Sequence, residues 1–374
     1  MVLGGLMAPA AVANAQTGSF QLAPLVVTAS MMDTPYQLQS DPRQPRASVP
    51  APDGGAYLKE VPGFSVSRKG GTAGEPALRG LGGSRLSILA DGSAIGGGCT
   101  ARMDPPTAYI FPQSYDRIEI TKGPQSVRYG VAPGGSVRFV RDTPRFSEQE
   151  TRGFLSYTGG SFNRNDLAAE ILSGSTAGYL RFNSLISSQD DYQDGSGERV
   201  HSQFERWSTQ ATAGWTPDER STIEASYERS DAESAYDDRR MDGTDFDRTG
   251  YRLRMEREDI TPWLERLEAL YFYNDIDHVM DNFRLRDPQM MTMARRVQRR
   301  SSGGRLESTL VPFKSAVVEA GLDYVENRHG DSGRIAQMGE PLTALKFRGE
   351  PVEDQARFLN LAVFMEWEQT LARG

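Results

Sequence analysis

Four residues of this chain have side chains that bind soft metal ions. Cys99, the only cysteine, is followed four residues later by Met103, and His278 and Met280 form an H-x-M pair in a chain with three histidines. A thiol, two thioethers and an imidazole are together a ligand set that a soft ion such as Cu(I) prefers. The alternative is that the lone cysteine is a small buried apolar residue and that the four side chains never meet.

Composition and charge limit the classes of function. The chain has 374 residues, is 38% hydrophobic and carries a formal net charge of −8, with no block of basic residues, so nucleic-acid binding has little support. No stretch approaches the ~20 apolar residues of a membrane-spanning helix, whereas transmembrane strands have low mean hydropathy because lipid-facing and lumen-facing residues alternate. The sequence contains no catalytic triad, phosphate-binding loop or supported carboxylate pair, and we do not expect an enzyme.

The N-terminal region has the pattern of an exported protein. Residues 1–15 resemble the apolar core and A-x-A cleavage site of a signal peptide, without its usual basic region, which predicts a start further upstream. A short apolar tail is the alternative. An exported protein with one cysteine has no internal disulfide framework. Residues 31–55, rich in Pro, Gln, Ser and Asp, predict a flexible segment, and the Gly-rich residues 56–145 predict a small mixed domain.

From about residue 152, segments of about ten residues alternate between polar and apolar side chains. The connections between these segments alternate between short ones, such as 216–219, and long ones, such as 231–247. This alternation is typical of an outer-membrane barrel. A soluble β-sandwich or propeller is the alternative, but no blade-length repeat is present. A barrel in lipid must close, because an open edge leaves backbone groups unpaired. We therefore expect that the chain is truncated and carries about ten strands of a larger barrel. The strands are predicted near 152–159, 165–173, 178–188, 205–215, 220–230, 248–257, 264–280, 295–310, 314–328 and 356–370.

The Gly-rich domain resembles the plug of a TonB-dependent outer-membrane receptor. The matching motifs are V-P-G-F at 61–64, L-R-G-L-G at 78–82, I-L-A-D-G at 88–92 and Y-D-R-I-E-I-T-K-G-P-Q-S-V-R-Y-G at 115–130. Nearer the N-terminus, Leu25-Val26-Val27-Thr28-Ala29 resembles the TonB box, a segment that in this family pairs as an added strand with the periplasmic protein TonB.

The resemblance implies a fold, a location and partners. The fold is mainly β, with an N-terminal α+β plug at 56–145 inside a transmembrane antiparallel β-barrel, of which residues 146–374 hold the first strands. Residues 16–55 then carry the TonB box and a flexible linker. The implied location is the bacterial outer membrane. The implied partners are TonB with its energy-transducing proteins ExbB and ExbD, and outer-membrane lipid, with the receptor as a monomer.

Within that family, the soft-ligand residues resemble the copper-receptor branch, often called the OprC/NosA type. Those receptors carry a C-x-x-x-M element in the plug, matched by Cys99 and Met103, and an H-x-M element in the barrel, matched by His278 and Met280. The resemblance implies that copper, as Cu(I), is the transported ligand. The alternatives are a receptor for a ferric siderophore or haem, and a metal store or surface receptor that does not transport.

The strand pattern predicts where the two elements meet. The seventh strand runs outward, so His278 and Met280 lie near its extracellular end and share one face because side chains alternate. That face also carries Arg266, Glu268 and Asn274, whereas Leu267, Ala269, Tyr271 and Tyr273 face lipid. We expect the Cys99 loop to meet this strand end beneath the outer mouth, and the three glycines before Cys99 to adopt unusual backbone angles.

The remaining metal-binding residue types lie in predicted loops. Met290, Met291 and Met293 follow the seventh strand and are candidates for a soft relay that passes copper inward; flexible loop methionines are the equal alternative. His201 and His329 are predicted to be solvated loop histidines. Residues 237–240 and Asp242 are predicted to be a solvated charged loop.

Overall fold

The computed structural model describes residues 36–44, 46–47, 49–287, 291–336 and 352–370. The predicted signal peptide, the TonB-box segment and Met290 lie outside the described residues. The described chain forms an N-terminal plug of small sheets followed by one large antiparallel sheet that curves around it. Within the described part, the structure holds no helix that combines the length and the apolar character needed to cross a membrane.

The plug contains one short helix and eight short strands. They form a five-stranded sheet in the order β1-β7-β8-β5-β6, with β5 and β8 parallel, and a three-stranded sheet in the order β2-β3-β4. Three single-turn 3-10 helices span Gly83–Arg85, Pro106–Tyr109 and Pro112–Ser114. The elements are β1 (Gln37–Ser40), α1 (Gly54–Lys59), β2 (Phe64–Arg68), β3 (Gly74–Leu78), β4 (Leu81–Gly82), β5 (Leu86–Ala90), β6 (Ser93–Ala94), β7 (Arg117–Lys122) and β8 (Gly135–Val140).

Part of the segment predicted to be flexible is ordered. Strand β1 lies within residues 31–55 and pairs antiparallel with β7, and its Leu38 is buried in the plug core. Asp53 caps helix α1 by accepting a hydrogen bond from the backbone N of Ala56 at 2.8 Å. A polar composition therefore did not exclude structure here, because a neighbouring strand supplies the backbone partners.

The large sheet has ten strands in chain order, and each pairs with its sequence neighbour. All ten predicted strands are present, and those from β16 to β19 are 18–22 residues long, well beyond the ~9–11 residues that cross a bilayer. The two-residue strands β12 (Tyr192–Gln193) and β13 (Arg199–Val200) form a hairpin in one connection. The ten strands are β9 (Glu150–Gly160), β10 (Arg164–Ser175), β11 (Gly178–Gln189), β14 (Phe204–Trp215), β15 (Ser221–Ser234), β16 (Asp242–Thr261), β17 (Leu264–Asp281), β18 (Thr292–Phe313), β19 (Ala316–Ala336) and β20 (Asp354–Gln369).

The two faces of the large sheet differ in polarity and burial. In β11, Arg181 and Asn183 are buried against the plug side, whereas Leu180 and Phe182 are exposed on the other face. This apolar-outside pattern is that of a transmembrane barrel wall. Among the described residues, pairing runs from β9 to β20 and no pairing joins these two strands, so the sheet is an open arc.

Strand β17 has the predicted alternation. Its even-numbered residues from Leu270 to Met280 are buried, whereas Leu267 and Tyr271 are exposed. Leu270, Phe272 and Ile276 interrupt a polar inner face in the sequence. The structure buries all three, Leu270 beside Gly92 of the plug, Ile276 in the plug cluster and Phe272 over Gly303 of β18. A lumen that is filled by protein accepts apolar side chains, because they are removed from water there.

A buried arginine of the wall holds the plug segment that follows Cys99. Arg206 of β14 donates hydrogen bonds to the carbonyl oxygens of Ala108 at 3.0 Å and Ile110 at 3.4 Å, and to that of Pro52. Its guanidinium also lies 3.7 Å from the ring centroid of Phe111. One side chain of the large sheet thus fixes the 3-10 helix Pro106–Tyr109 relative to the wall.

Candidate metal centre

The Cys99 loop is built around the carboxylate of Asp104. This buried carboxylate accepts hydrogen bonds at 2.7 Å from the backbone N of Gly98, the backbone N of Cys99 and the hydroxyl of Tyr109. The backbone N of Arg102 donates to the carbonyl of Cys99 at 2.9 Å and closes a turn. Charge-assisted bonds of this kind are stronger than neutral ones, so the backbone of Cys99 is held before any ligand binds.

The prediction of unusual backbone angles at Gly96, Gly97 and Gly98 is wrong. None of the three has a positive φ. Glycine is needed there for space: a Cβ at Gly97 would overlap the carbonyl oxygen of Asp104, and one at Gly96 would overlap the guanidinium of Arg299. The glycines therefore allow the loop to fold tightly on itself and against the wall.

The structure brings the plug loop and the end of β17 into contact. The Cys99 Sγ lies 3.9 Å from the Met280 Sδ, and a Cβ added at Gly98 would lie 3.7 Å from the Cβ of His278. Cys99 is 6% exposed, Met103 8%, Met280 1% and His278 0%. Cys99, Met103 and Met280 belong to one buried cluster. Cys99, His278 and Met280 thus lie at one plug–wall contact, and Met103 is buried in the same cluster as the two sulfurs. The role of all four as metal ligands stays a prediction.

The imidazole of His278 is oriented by the wall. Its Nδ1 lies 2.9 Å from the backbone oxygen of Asp245, so Nδ1 carries the proton and donates it. The ring packs on Phe246 with centroids 4.4 Å apart. Its Nε2 is buried and has no hydrogen-bond partner in the part of the chain that the structure describes. A neutral imidazole held through one nitrogen, with a free lone pair on the other, is the usual state of a metal-binding histidine.

The environment of Cys99 favours the protonated thiol. Burial raises the pKa of Cys99, and the negative charge of Asp104 acts in the same direction, whereas the backbone N–H of Met103 opposes it. A positive ion beside the sulfur reverses this balance, because it stabilises the thiolate.

The raised pKa of Cys99 predicts slow alkylation of its thiol. At pH 8 the folded, metal-free chain should react with iodoacetamide more slowly than a solvated cysteine, because less thiolate is present and the sulfur is covered. The rate should keep rising with pH beyond the ordinary thiol pKa of about 8.5. Unfolding in urea should abolish the difference; a folded chain that reacts like free cysteine at pH 8 would contradict the buried environment.

No alternative site of harder ligands is present in the described part of the chain. There, no group of three or more His, Cys, Asp and Glu side chains could hold a metal ion. A metal site at Cys99 therefore depends on the thioethers of Met103 and Met280, which are ligands for soft ions.

The other candidate residues lie apart from this cluster or differ from expectation. Met291 is exposed and Met293 is partly buried in β18, and their relay role stays a prediction. His329 lies within strand β19 and packs edge-on against Phe358, so its assignment to a loop is wrong. His201 is not simply solvated, because its Nε2 lies 3.2 Å from the carboxylate of Asp242.

Three residues near the site were not found from the sequence. Asp104 had a weak local signal, a short acidic side chain five residues after Cys99 in a glycine-rich turn. Tyr236 and Arg286 had none, because their contacts join segments distant in sequence. Asp242, assigned to a solvated loop, is instead fully buried because Arg286, His201 and the backbone N of Tyr236 satisfy its carboxylate.

Comparison with known proteins identifies the family. Residues 30–136 match the family described as the TonB-dependent Receptor Plug Domain. The solved structure of the copper transporter OprC is 39% identical, with a TM-score of 0.88 over 94% of this chain and 55% of that chain. The chain belongs to the TonB-dependent receptors. Members of this family lie in the bacterial outer membrane, and this receptor is a protein of that membrane.

More distant receptors share the fold of this TonB-dependent receptor. The ferric enterobactin receptor PfeA of Pseudomonas aeruginosa is 15% identical, with a TM-score of 0.62 over 80% of this chain and 50% of that chain. The ferric citrate transporter FecA is 16% identical, with a TM-score of 0.65 over 89% of this chain and 54% of that chain. The chain spans about half the length of these structures. No curated protein sequence matches it.

Proposed function

We propose that this receptor takes up copper across the outer membrane and binds it as Cu(I) through Cys99, Met103, His278 and Met280. The observation that carries the proposal is the 3.9 Å approach of the Cys99 and Met280 sulfurs beside the buried Nε2 of His278, which bonds to none of the described residues. The 39% identity to a copper transporter supports the same ligand.

The charge of the site favours a monovalent soft ion. The thioethers of Met103 and Met280 are neutral, and His278, whose Nδ1 lies 2.9 Å from a backbone carbonyl, would bind a metal ion through Nε2 as a neutral imidazole. The thiolate of Cys99 then balances the charge of Cu(I). A divalent ion would leave the four ligands with a net positive charge, offset only by the nearby Asp104 carboxylate, which already accepts three hydrogen bonds.

Energy for release is proposed to come from TonB, acting with ExbB and ExbD on residues 25–29. That segment precedes strand β1 by seven residues, and β1 pairs with the core strand β7 through residues 37–40. A strand added to TonB at the box can therefore transmit a pull to the plug sheet. A change in the plug would separate Cys99 and Met103, which lie on the plug, from His278 and Met280, which lie on the wall.

Metal analysis tests the proposed ligand against the iron alternatives. The purified chain in detergent, offered Cu(I) under reducing conditions, a ferric siderophore and haem in separate samples, should retain about one copper ion per chain and neither iron compound. Retention of iron or haem with no copper would overturn the proposal. Copper accumulation in cells with and without TonB separates transport from storage, because a store would fill equally in both.

A further inference from the structure

The proposed copper ligands are closed off from solvent. Cys99, Met103, His278 and Met280 are each less than one-tenth exposed. An ion that arrives from outside must therefore displace some part of the protein before it reaches the sulfurs. The loops at the C-terminal end of β17 are the nearest movable elements, since His278 and Met280 lie at that end.

One aromatic side chain covers the plug–wall gap at this end. Tyr236 lies in the connection between β15 and β16, is 1% exposed and belongs to the same buried cluster as Cys99 and Met280. Its ring passes between two glycines. A Cβ at Gly70 of the plug would overlap the ring, and a Cβ at Gly243 of the wall would lie 2.9 Å from its hydroxyl.

The position of Tyr236 relates it directly to the metal ligands. Gly243 is the strand partner of Met280 in the β16–β17 pair. Among the described residues, the Tyr236 hydroxyl, like the His278 Nε2, is buried and has no hydrogen-bond partner. A buried tyrosine hydroxyl normally has a partner, so the ring of Tyr236 lacks the bond that would usually hold it in place.

Polar contacts, made mainly by Arg286, hold the backbone of the connection between β15 and β16, the 235–241 loop. Arg286, from the segment after β17, donates to the carbonyl oxygens of Tyr236 and Arg239, both at 2.8 Å, and to the carboxylate of Asp242. Asp242 in turn accepts the backbone N of Tyr236 at 2.9 Å. One arginine therefore ties two neighbouring loops together across the site.

We propose that Tyr236 is the gate of the copper site and that Arg286 is its latch. The ring of Tyr236 seals the site on the loop side, and the hydrogen bonds of Arg286 keep the 235–241 loop closed. Copper from outside reaches the site, and without TonB dissociates back, when these bonds break and the ring swings out of the Gly70–Gly243 cleft. That the ligand is copper rests on the proposed function, whereas the gate rests on the contacts of Tyr236 and Arg286.

Labelling of the single cysteine tests the gate without copper. A small methanethiosulfonate reagent should modify Cys99 about tenfold faster in Arg286→Ala and in Tyr236→Ala, because local opening sets the rate of reaction at a buried group. Tyr236→Phe keeps the ring and should label at the rate of the unchanged chain. Arg220→Ala is the matched control, since Arg220 forms an exposed ion pair with Asp259 at the opposite end of the sheet.

Copper exchange completes the test and separates the two proposals. Arg286→Ala should speed Cu(I) uptake and release by a similar factor, about tenfold, and leave the dissociation constant nearly unchanged. Circular dichroism and the urea midpoint of unfolding show whether the variant is folded; if it is not, Arg286→Gln takes its place. Unchanged labelling in folded variants would overturn the gate. Faster labelling in a chain that binds no copper would keep the gate and overturn the copper proposal.

Discussion

Replacing Cys99 with alanine should lower the affinity for Cu(I) by more than ~100-fold. Loss of a residue that only hydrogen-bonds to a metal ligand typically costs ~10–100-fold, and loss of the ligand itself should cost more. The thiolate is the only anionic ligand in the proposed set, so its loss leaves a buried positive ion with neutral partners. His278→Ala should have a comparable effect, because it removes the one nitrogen ligand held in place by a backbone carbonyl. Competition with a chromogenic Cu(I) chelator measures both affinities.

Matched variants separate loss of a ligand from loss of structure. Met255→Leu removes a thioether from the exposed face of β16, and His329→Ala removes an imidazole outside the sulfur cluster, so neither should change Cu(I) affinity. Met103→Leu and Met280→Leu keep the apolar volume and should weaken binding less than Cys99→Ala, because they remove neutral ligands. Wild-type affinity in both Cys99→Ala and His278→Ala would exclude this site as the copper centre.

The local pattern of side chains was sufficient to predict the large sheet. Alternation along β17 correctly assigned His278 and Met280 to the inner face, because a strand with lipid on one side and protein on the other must separate its residues in this way. The bounds of β17 were predicted to within one residue, but the full lengths of β16, β18 and β19 and the presence of β1 were not predictable in the same way. Both depend on pairing with another strand, which a single segment of sequence does not reveal.

The candidate site was predictable only as far as its ligand types and spacing. The soft side chains indicated copper, and the strand count indicated where two of them lie. The residues that hold and cover them were not found, because their contacts join segments distant in sequence or are made to backbone groups. Asp104 accepts two amide hydrogens, and Arg286 donates to two carbonyl oxygens. A contact to a backbone group does not require a particular side chain on the partner residue. It therefore leaves no pair of complementary residue types in the sequence.

Asp104 is the residue outside the proposed ligand set whose loss should matter most. Asp104→Ala would leave two buried N–H groups, those of Gly98 and Cys99, and the Tyr109 hydroxyl without an acceptor. Hydrogen bonds to a charged group contribute ~1.5–3 kcal/mol each, and buried donors without partners cost ~1–3 kcal/mol. We therefore expect a loss of about 3 kcal/mol in the stability of the plug loop, measured as faster amide hydrogen exchange at residues 97–103.

The same variant should weaken copper binding, because the thiol would no longer be held against Met280. The expected decrease in Cu(I) affinity is ~10–100-fold, the range for residues that orient a metal ligand. Asp104→Asn should recover part of this loss, since its amide oxygen can still accept one of the two backbone bonds while its NH₂ cannot accept the other. Asp194→Ala is the control, because Asp194 accepts the backbone N of Ser196 and Glu198 in an exposed turn far from Cys99 in sequence. If Asp104→Ala loosens the loop but binds copper as tightly as before, the closed loop is not what positions the sulfur, and the metal itself must draw Cys99 toward His278 and Met280.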